Sequence, residues 1–197
     1  MATLTPTRPS VFNLPNQLTA ARFVLALVLF VLIDLGDYWV ACTVVFALAA
    51  VTDWLDGYLA RRQGLSSTLG RVLDPLVDKV LVCGAYIFLM PVEGSGLFPW
   101  MVTVVVAREL VITSLRSFLE NQGASFGADW LGKLKMGLQC AALIAIFVYL
   151  NGKEGPSADF FAGARSGLIY AMLAATVMSG LQYLWKATLL LKPERYA

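Results

Sequence analysis

Long apolar runs alternate with short polar or charged stretches along almost the whole chain. Six runs approach the roughly 20 residues that a helix needs to cross the hydrocarbon core of a bilayer. Several are strictly apolar over a shorter length and are completed by polar residues at one end. The pattern predicts an all-α integral membrane protein with six transmembrane helices, at about residues 18–35, 38–60, 74–90, 98–119, 131–150 and 166–191.

The composition agrees with this pattern. Of 197 residues, 58% are hydrophobic and only 14% are charged, and the mean hydropathy of +0.71 lies outside the usual range of soluble globular domains. We expect an N-terminal arm at residues 1–15, one six-helix domain at 16–192 and a short tail at 193–197. Cys42, Cys83 and Cys140 lie singly in apolar runs, so we expect small hydrophobes rather than a disulfide or zinc site.

Basic residues concentrate at one set of alternating span ends. The connections "DLGD" and "PVEGSG" contain no Lys or Arg, whereas "NGKEGPSADFFAGAR" contains Lys153 and Arg165. By the positive-inside rule the basic ends, and with them both termini, are expected in the cytoplasm. The residues concerned are Arg8, Arg22, Arg61, Arg62, Arg71, Arg116, Lys133, Lys135, Lys192 and Arg195.

Four aspartates interrupt this apolar sequence within a short segment: Asp53, Asp56, Asp74 and Asp78. A carboxylate in a membrane segment costs a few kcal/mol and is by default a sign of function. The first two are three positions apart and the last two are four apart, so each pair lies on one face of its helix. The polar link "RRQGLSSTLGRV" predicts a hairpin that brings the two pairs together at the cytoplasmic face.

Four carboxylates in a partly dry cleft repel one another unless positive charge lies among them. Lys79, Arg61 and Arg71 offer part of that charge, so a purely structural ion network is one interpretation. Mg²⁺ or Mn²⁺ suits an all-oxygen ligand set better, and four carboxylates are enough for two ions that share ligands. We favour the metal site and keep the network as the alternative.

The segment "VTDWLDGYLARRQGLSSTLGRVLDPLVDKV" contains the pattern Asp53-x2-Asp56-Gly57-x2-Ala60-Arg61-x8-Gly70-x3-Asp74-x3-Asp78. This pattern resembles the signature of the CDP-alcohol phosphotransferases at all eight positions. The resemblance implies a six-helix membrane enzyme, usually a homodimer, in which the hydroxyl of an alcohol displaces CMP from a CDP-linked donor.

The same resemblance implies roles for individual residues. Asp53, Asp56, Asp74 and Asp78 would hold two divalent ions, and Asp78 would also take the proton of the acceptor hydroxyl. In-line displacement is favoured over a covalent phosphatidyl-enzyme. The CDP site would be lined by Asp53, Gly57, Ala60, Arg61 and Gly70.

Three residues that enter the first span match the same family pattern. Asn16, Thr19 and Arg22 are placed near the nucleotide or the head group, and we assign Asn16 and Thr19 to the CDP site. A helix cap is an equally good interpretation of Asn16.

Cations in the fourth and fifth spans bear on the acceptor. Arg108 and Arg116 are eight positions apart, on adjoining parts of one helix face, and Lys133 and Lys135 enter the next span. Together they predict a site for a dianionic phosphate, and therefore an acceptor that is phosphorylated. Two alternatives stay open, namely snorkelling, which suits Lys135 best, and pairing of Arg108 with Glu109.

Five stretches look like the bacterial phosphatidylglycerophosphate synthases within that family and extend over about residues 13–183. The resemblance implies CDP-diacylglycerol as donor, sn-glycerol 3-phosphate as acceptor, and a site on the cytoplasmic side of the bacterial cytoplasmic membrane. Inositol phosphate and phosphatidylglycerol are the alternative acceptors, a divalent-metal transporter is the remote alternative, and no nucleic-acid partner is expected. The stretches are "NLPNQLTAARF", "VTDWLDGYLARR", "LDPLVDKV", "VVVARELVITSLR" and "LGKLKMGLQ".

Overall fold

A computed structural model describes residues 14–63, 68–121 and 130–190, with all side chains in these ranges except those of 14–16, 53–63, 68–72, 74, 120 and 190. Within the described ranges the chain forms six α-helices and no strand, which confirms the all-α prediction. The helices are α1 (Leu14–Leu35), α2 (Trp39–Gln63), α3 (Thr68–Leu89), α4 (Pro99–Asn121), α5 (Trp130–Gly152) and α6 (Ala158–Leu190).

Long apolar helices identify the chain as a membrane protein. In the described part of the chain, three helical segments are long and apolar enough to cross a bilayer: Gln17–Leu35, Trp130–Gly152 and Ala158–Leu189. In α2 the apolar part is shorter, Trp39–Thr52. Charged residues interrupt α3 and α4, so the six-span topology and the location of both termini stay predictions.

The chain divides into two compact units, Met1–Ala85 and Tyr86–Ala197, and the boundary falls inside α3. In the first unit α1 packs against α2. Each of these helices buries one stripe of residues at alternating intervals of three and four, the helical repeat. The stripe of α1 contains Thr19, Arg22, Ala26, Leu29 and Ile33, and that of α2 contains Trp39, Cys42, Phe46 and Ala49.

In the second unit α6 packs against both α4 and α5. The buried stripes of these helices are mainly aliphatic, but each also contains polar residues. On α5 the stripe begins with Lys135 and Gln139 and continues with Ala142, Leu143, Ile146, Phe147 and Leu150. Polar groups at inward positions of apolar helices need partners close by.

The last connection is shorter than the sequence predicts. Helix α6 begins at Ala158 rather than near Ser166. The prediction that the connection extends through Arg165 was therefore wrong. Ser157 directly precedes the helix and Asp159 lies in its first turn, a pattern that favours a helix start at this point.

The three cysteines lie in helices, as their positions in apolar runs predict. Cys42 is buried and Cys83 and Cys140 are half-buried, and none of the three forms a disulfide.

Candidate functional site

A partly buried ion pair joins α1 to the described part of the signature on α3. Arg22 is 1% exposed, and its Nη1 donates to Oδ1 of Asp78 at 3.0 Å. The two residues are 56 positions apart in sequence, yet both lie in the first unit. Positive charge therefore does lie beside at least one of the four aspartates, as their mutual repulsion requires, and α1 supplies it.

Lys79 has a different contact from the one suggested for it. Its Nζ donates to the backbone carbonyl of Pro75, one turn earlier on α3, at 3.1 Å. That bond places the ammonium against its own helix, beside a backbone carbonyl. Among the described contacts, Asp78 bonds to Arg22, and Lys79 bonds to Pro75.

The other three aspartates lie within described helices, Asp53 and Asp56 in α2 and Asp74 in α3. The buried stripe of α2 runs through Phe46 and Ala49, and continuing its spacing by four and three reaches Asp53 and Asp56. Asp74 precedes Asp78 by one turn of α3. These three side chains lie outside the described residues, as do those of Asn16, Gly57, Ala60, Arg61 and Gly70, so their metal and CDP roles stay predictions.

Thr19 is the described member of the predicted CDP site. It is 3% exposed and lies three positions before Arg22, on the same face of α1. Its position one turn from a residue that contacts Asp78 agrees with a place near the signature aspartates. Its contact with nucleotide stays a prediction.

A second polar cluster lies in the other unit, where Glu109 of α4 is the central residue. Its Oε1 accepts a hydrogen bond from Nη1 of Arg108 at 3.1 Å and a short one from Nζ of Lys135 on α5. The side-chain amide of Gln139 also approaches this oxygen, at 3.5 Å. Glu109 and Lys135 are 7% and 6% exposed, so the pair is buried.

Helix α6 fixes the other side of the Arg108 guanidinium. Its Nη2 donates to Oγ of Ser179 at 2.8 Å, and its Cζ lies 5.8 Å from the centre of the Tyr183 ring. A Cβ at Gly180 would lie 3.3 Å from Cγ of Arg108, so the absence of a side chain at Gly180 gives the arginine stem its room. Arg108 is thus held by α4 and α6 together.

The four cations of the predicted phosphate site fall into two groups. Arg108 and Lys135 meet on the carboxylate of Glu109, and the pairing of Arg108 with Glu109 is one alternative that the sequence left open. Snorkelling, the favoured alternative for Lys135, was wrong, because this side chain points into the protein and is buried.

Arg116 and Lys133 form the second group, and both are exposed. Lys133 precedes Lys135 by two positions, and residues two apart on a helix do not share a face. The roles of all four cations in binding phosphate stay predictions.

Sequence reasoning did not assign a role to Glu109 beyond a partner for Arg108, and it missed Ser179 and Tyr183. Glu109 had a signal, since it is the one acid among residues 98–119 and an acid in such a run suggests function. Ser179 and Tyr183 are ordinary residues of an apolar helix, and their contacts with Arg108 depend on how α6 packs.

Similarity to known proteins extends over most of the chain. A sequence profile of the CDP-alcohol phosphatidyltransferases matches residues 12–181, which include the signature, Arg22 and the residues that bond to Glu109. The chain belongs to the CDP-alcohol phosphatidyltransferase family. Members of this family generally depend on divalent metal ions.

Three relatives share the name CDP-diacylglycerol--glycerol-3-phosphate 3-phosphatidyltransferase. The protein of Bacillus subtilis (strain 168) is 34% identical over 189 residues, 89% of this chain and 95% of that protein. That of Escherichia coli (strain K12) is 34% identical over 181 residues, 88% and 93% of the two chains. That of Sodalis glossinidius (strain morsitans) is 32% identical over 183 residues, 89% and 94% of the two chains.

Proposed function

We propose that this protein transfers the phosphatidyl group of CDP-diacylglycerol to sn-glycerol 3-phosphate, and so forms phosphatidylglycerol phosphate and CMP. The observation that carries the proposal is similarity at 32–34% identity, over nearly the full length of both chains, to relatives named for this reaction. The complete eight-residue signature supports the CDP half of the reaction independently.

The donor side of the reaction depends on the four aspartates. Their carboxylates are hard oxygen ligands on two helical segments, a donor set that fits Mg²⁺ or Mn²⁺. Two ions held by Asp53, Asp56, Asp74 and Asp78 would neutralise the diphosphate and stabilise charge that develops on the departing CMP. Gly57, Ala60, Arg61 and Gly70, with Asp53, Asn16 and Thr19, are proposed to bind the CDP moiety.

Asp78 is the proposed general base. The acceptor hydroxyl loses its proton to this carboxylate while its oxygen forms a bond to the phosphorus that carries diacylglycerol, and the bond from that phosphorus to CMP breaks with its electron pair on CMP. The hydrogen bond from Arg22 supports this role because it restricts the rotation of the carboxylate.

The acceptor's phosphate is proposed to bind Arg108, Arg116, Lys133 and Lys135. Guanidinium groups recognise phosphate oxygens through paired N–H donors, and lysines add point charge. The fixed guanidinium of Arg108 and the buried ammonium of Lys135 support this assignment. Burying a cation in an apolar helix costs free energy, and such residues usually mark a functional site.

The topology follows from the same resemblance. We propose six transmembrane helices, both termini and the site on the cytoplasmic side of the bacterial inner membrane, and a homodimer. The basic residues at alternate helix ends support the orientation.

The test is CMP release by the purified protein in detergent, with CDP-diacylglycerol, Mg²⁺ or Mn²⁺, and one acceptor at a time. Release that requires glycerol 3-phosphate, and that EDTA abolishes and added metal restores, is the expected result. Release with inositol phosphate, serine or phosphatidylglycerol instead would retain the aspartate chemistry and overturn the assigned acceptor. No release with any acceptor would contradict the proposed reaction.

A further inference from the structure

Glu109 is a buried acid between two cations that the proposed function assigns to the acceptor phosphate. We infer that Glu109 is a positioning residue, whose carboxylate holds Arg108 and Lys135 so that one phosphate contacts both. The inference rests on the proposed function and adds to it a residue that does not itself touch the substrate.

The first observation is that both cations donate to the same oxygen. Nη1 of Arg108 and Nζ of Lys135 each bond to Oε1 of Glu109. Two donors that share one oxygen lie close enough together to contact two oxygens of a single phosphate group. Without the carboxylate, the two positive charges would repel each other across this short distance.

The second observation is that the guanidinium has a fixed orientation. Ser179 binds Nη2 from α6, Glu109 binds Nη1 from α4, and Tyr183 lies beside the group. The Nε of Arg108 is buried, and the described residues offer it no hydrogen-bond partner. An arginine has five N–H donors, so donors remain for an anion after these contacts are made.

A simple counterion would behave differently from a positioning residue. If Glu109 only balanced charge, its neutralisation would increase the positive potential and strengthen the binding of phosphate. If it positions the two cations, its neutralisation separates them and weakens that binding. The two roles therefore predict opposite signs for the change in the KM of glycerol 3-phosphate.

The test uses the purified full-length protein and the variant Glu109→Gln, which keeps the side-chain length and removes the charge. We expect the KM for glycerol 3-phosphate to rise roughly tenfold, the size of effect that loss of one charge-assisted hydrogen bond gives. The KM for CDP-diacylglycerol should stay within about twofold, because the described hydrogen bonds of the Glu109 carboxylate are to Arg108, Lys135 and Gln139, which are not assigned to the donor. Glu154→Gln, at an exposed position between α5 and α6, is the matched control.

Ser179→Ala provides a second measurement should Glu109→Gln fail to fold. It removes only the hydroxyl that binds Nη2 of Arg108, and we expect a smaller rise in the same KM, about two- to fivefold. Ser114→Ala, at an exposed position on α4, is its control and should leave the KM unchanged.

A double variant tests whether Glu109 acts through Lys135. In a Lys135→Gln background, Glu109→Gln should raise the KM for glycerol 3-phosphate by a smaller factor than it does in the unmodified protein, because one of the cations it holds is gone. Equal factors in both backgrounds would contradict the inference.

The outcomes distinguish a failure of the proposed function from a failure of this inference. An unmodified protein that releases no CMP with glycerol 3-phosphate would overturn the proposed function, and this inference with it. An active protein whose folded Glu109→Gln variant shows an unchanged or lower KM for glycerol 3-phosphate would overturn the inference alone. Equal increases in both KM values would also overturn it, because they would indicate a general structural role.

Discussion

Arg22 and Asp78 form a partly buried ion pair that includes the proposed base. Arg22 is almost fully inaccessible, whereas the Asp78 side chain is 28% exposed, so the carboxylate keeps an accessible side while the guanidinium does not. A charge buried in apolar surroundings depends strongly on its partner. The arginine thus couples the chemistry of Asp78 to the stability of the fold.

Asp78→Asn should abolish CMP release and retain much of the affinity for CDP-diacylglycerol, because it removes the proposed base and only one of four metal ligands. It should also lower the free energy of unfolding by roughly 1–3 kcal/mol, since Arg22 loses a charged acceptor. Turnover, donor binding and thermal unfolding measure the three effects.

Asp34→Asn, at an exposed position of α1, is the matched control and should change none of them. Substantial turnover by the Asp78→Asn protein would rule out the base. Loss of donor affinity together with turnover would make Asp78 chiefly a metal ligand.

Gly84 of α3 illustrates a residue-scale constraint on packing. A Cβ at this position would lie 2.2 Å from Cζ of Phe30 on α1, and Phe30 is buried. Gly84→Ala should therefore destabilise the protein by about 1–3 kcal/mol, the usual cost of overpacking. Thermal unfolding in detergent measures the effect.

Gly137→Ala on α5 is the control for Gly84→Ala, because a Cβ there meets no atom within 4 Å. It should be neutral or slightly stabilising, as expected for alanine in a helix. Similar losses in both variants would show that the ring of Phe30 is not the cause.

At the scale of elements, a clasp formed by Arg165 of α6 with Gly94 and Tyr149 joins the α3–α4 connection to α5. Its Nη1 donates to the carbonyl of Gly94, and its Cζ lies 4.1 Å from the centre of the Tyr149 ring. Gly94 and Gly96 have φ of 87° and 76°, a conformation that favours glycine and lets the α3–α4 connection turn toward Arg165. One side chain of α6 thus links this connection with the end of α5.

Arg165→Ala should lower the free energy of unfolding by about 1–2 kcal/mol, because a hydrogen bond and a cation–π contact are lost. The KM for glycerol 3-phosphate should not change, since the clasp shares no residue with the Glu109 cluster. Lys153→Ala, at an exposed position of the α5–α6 connection, should have no effect on either quantity. A KM shift in the Arg165→Ala protein without destabilisation would disprove the purely structural role of the clasp.

At the scale of the whole molecule, the orientation in the membrane is open to direct measurement. Glu93 and Asn121 are both exposed; Glu93 lies in the connection that precedes α4, and Asn121 is the last residue of that helix. In a protein without its own cysteines, Glu93→Cys should react with an impermeant maleimide in intact cells. Asn121→Cys should react only after the cells are permeabilised, because the basic face is expected in the cytoplasm.

The two substitutions control for each other, since they report on opposite ends of α4 and therefore on opposite sides of the membrane. The reverse labelling would overturn the proposed orientation. Labelling of both positions in intact cells would contradict a membrane-spanning α4.

Most of the helices and the chemistry of the signature were predictable because both are local in sequence. The apolar runs indicated all six helices, although polar first turns extended several of them beyond the predicted spans, as at α3, which begins at Thr68 rather than Asp74. The spacing of Asp53, Asp56, Asp74 and Asp78 favoured a metal site, and the resemblance of the whole signature to that of the CDP-alcohol phosphotransferases indicated the reaction class, because the signature lies within one continuous segment. Their metal ligation stays a prediction.

The partners of the buried charges were decided by tertiary structure alone. Arg22 meets Asp78 across 56 positions, Lys135 meets Glu109 across 26, and Arg108 meets Ser179 across 71. Helical periodicity determines which residues share a face, because each turn depends only on its neighbours in the chain. Which faces then meet depends on how whole helices pack, and that information is spread over every contact in each unit rather than contained in any one segment.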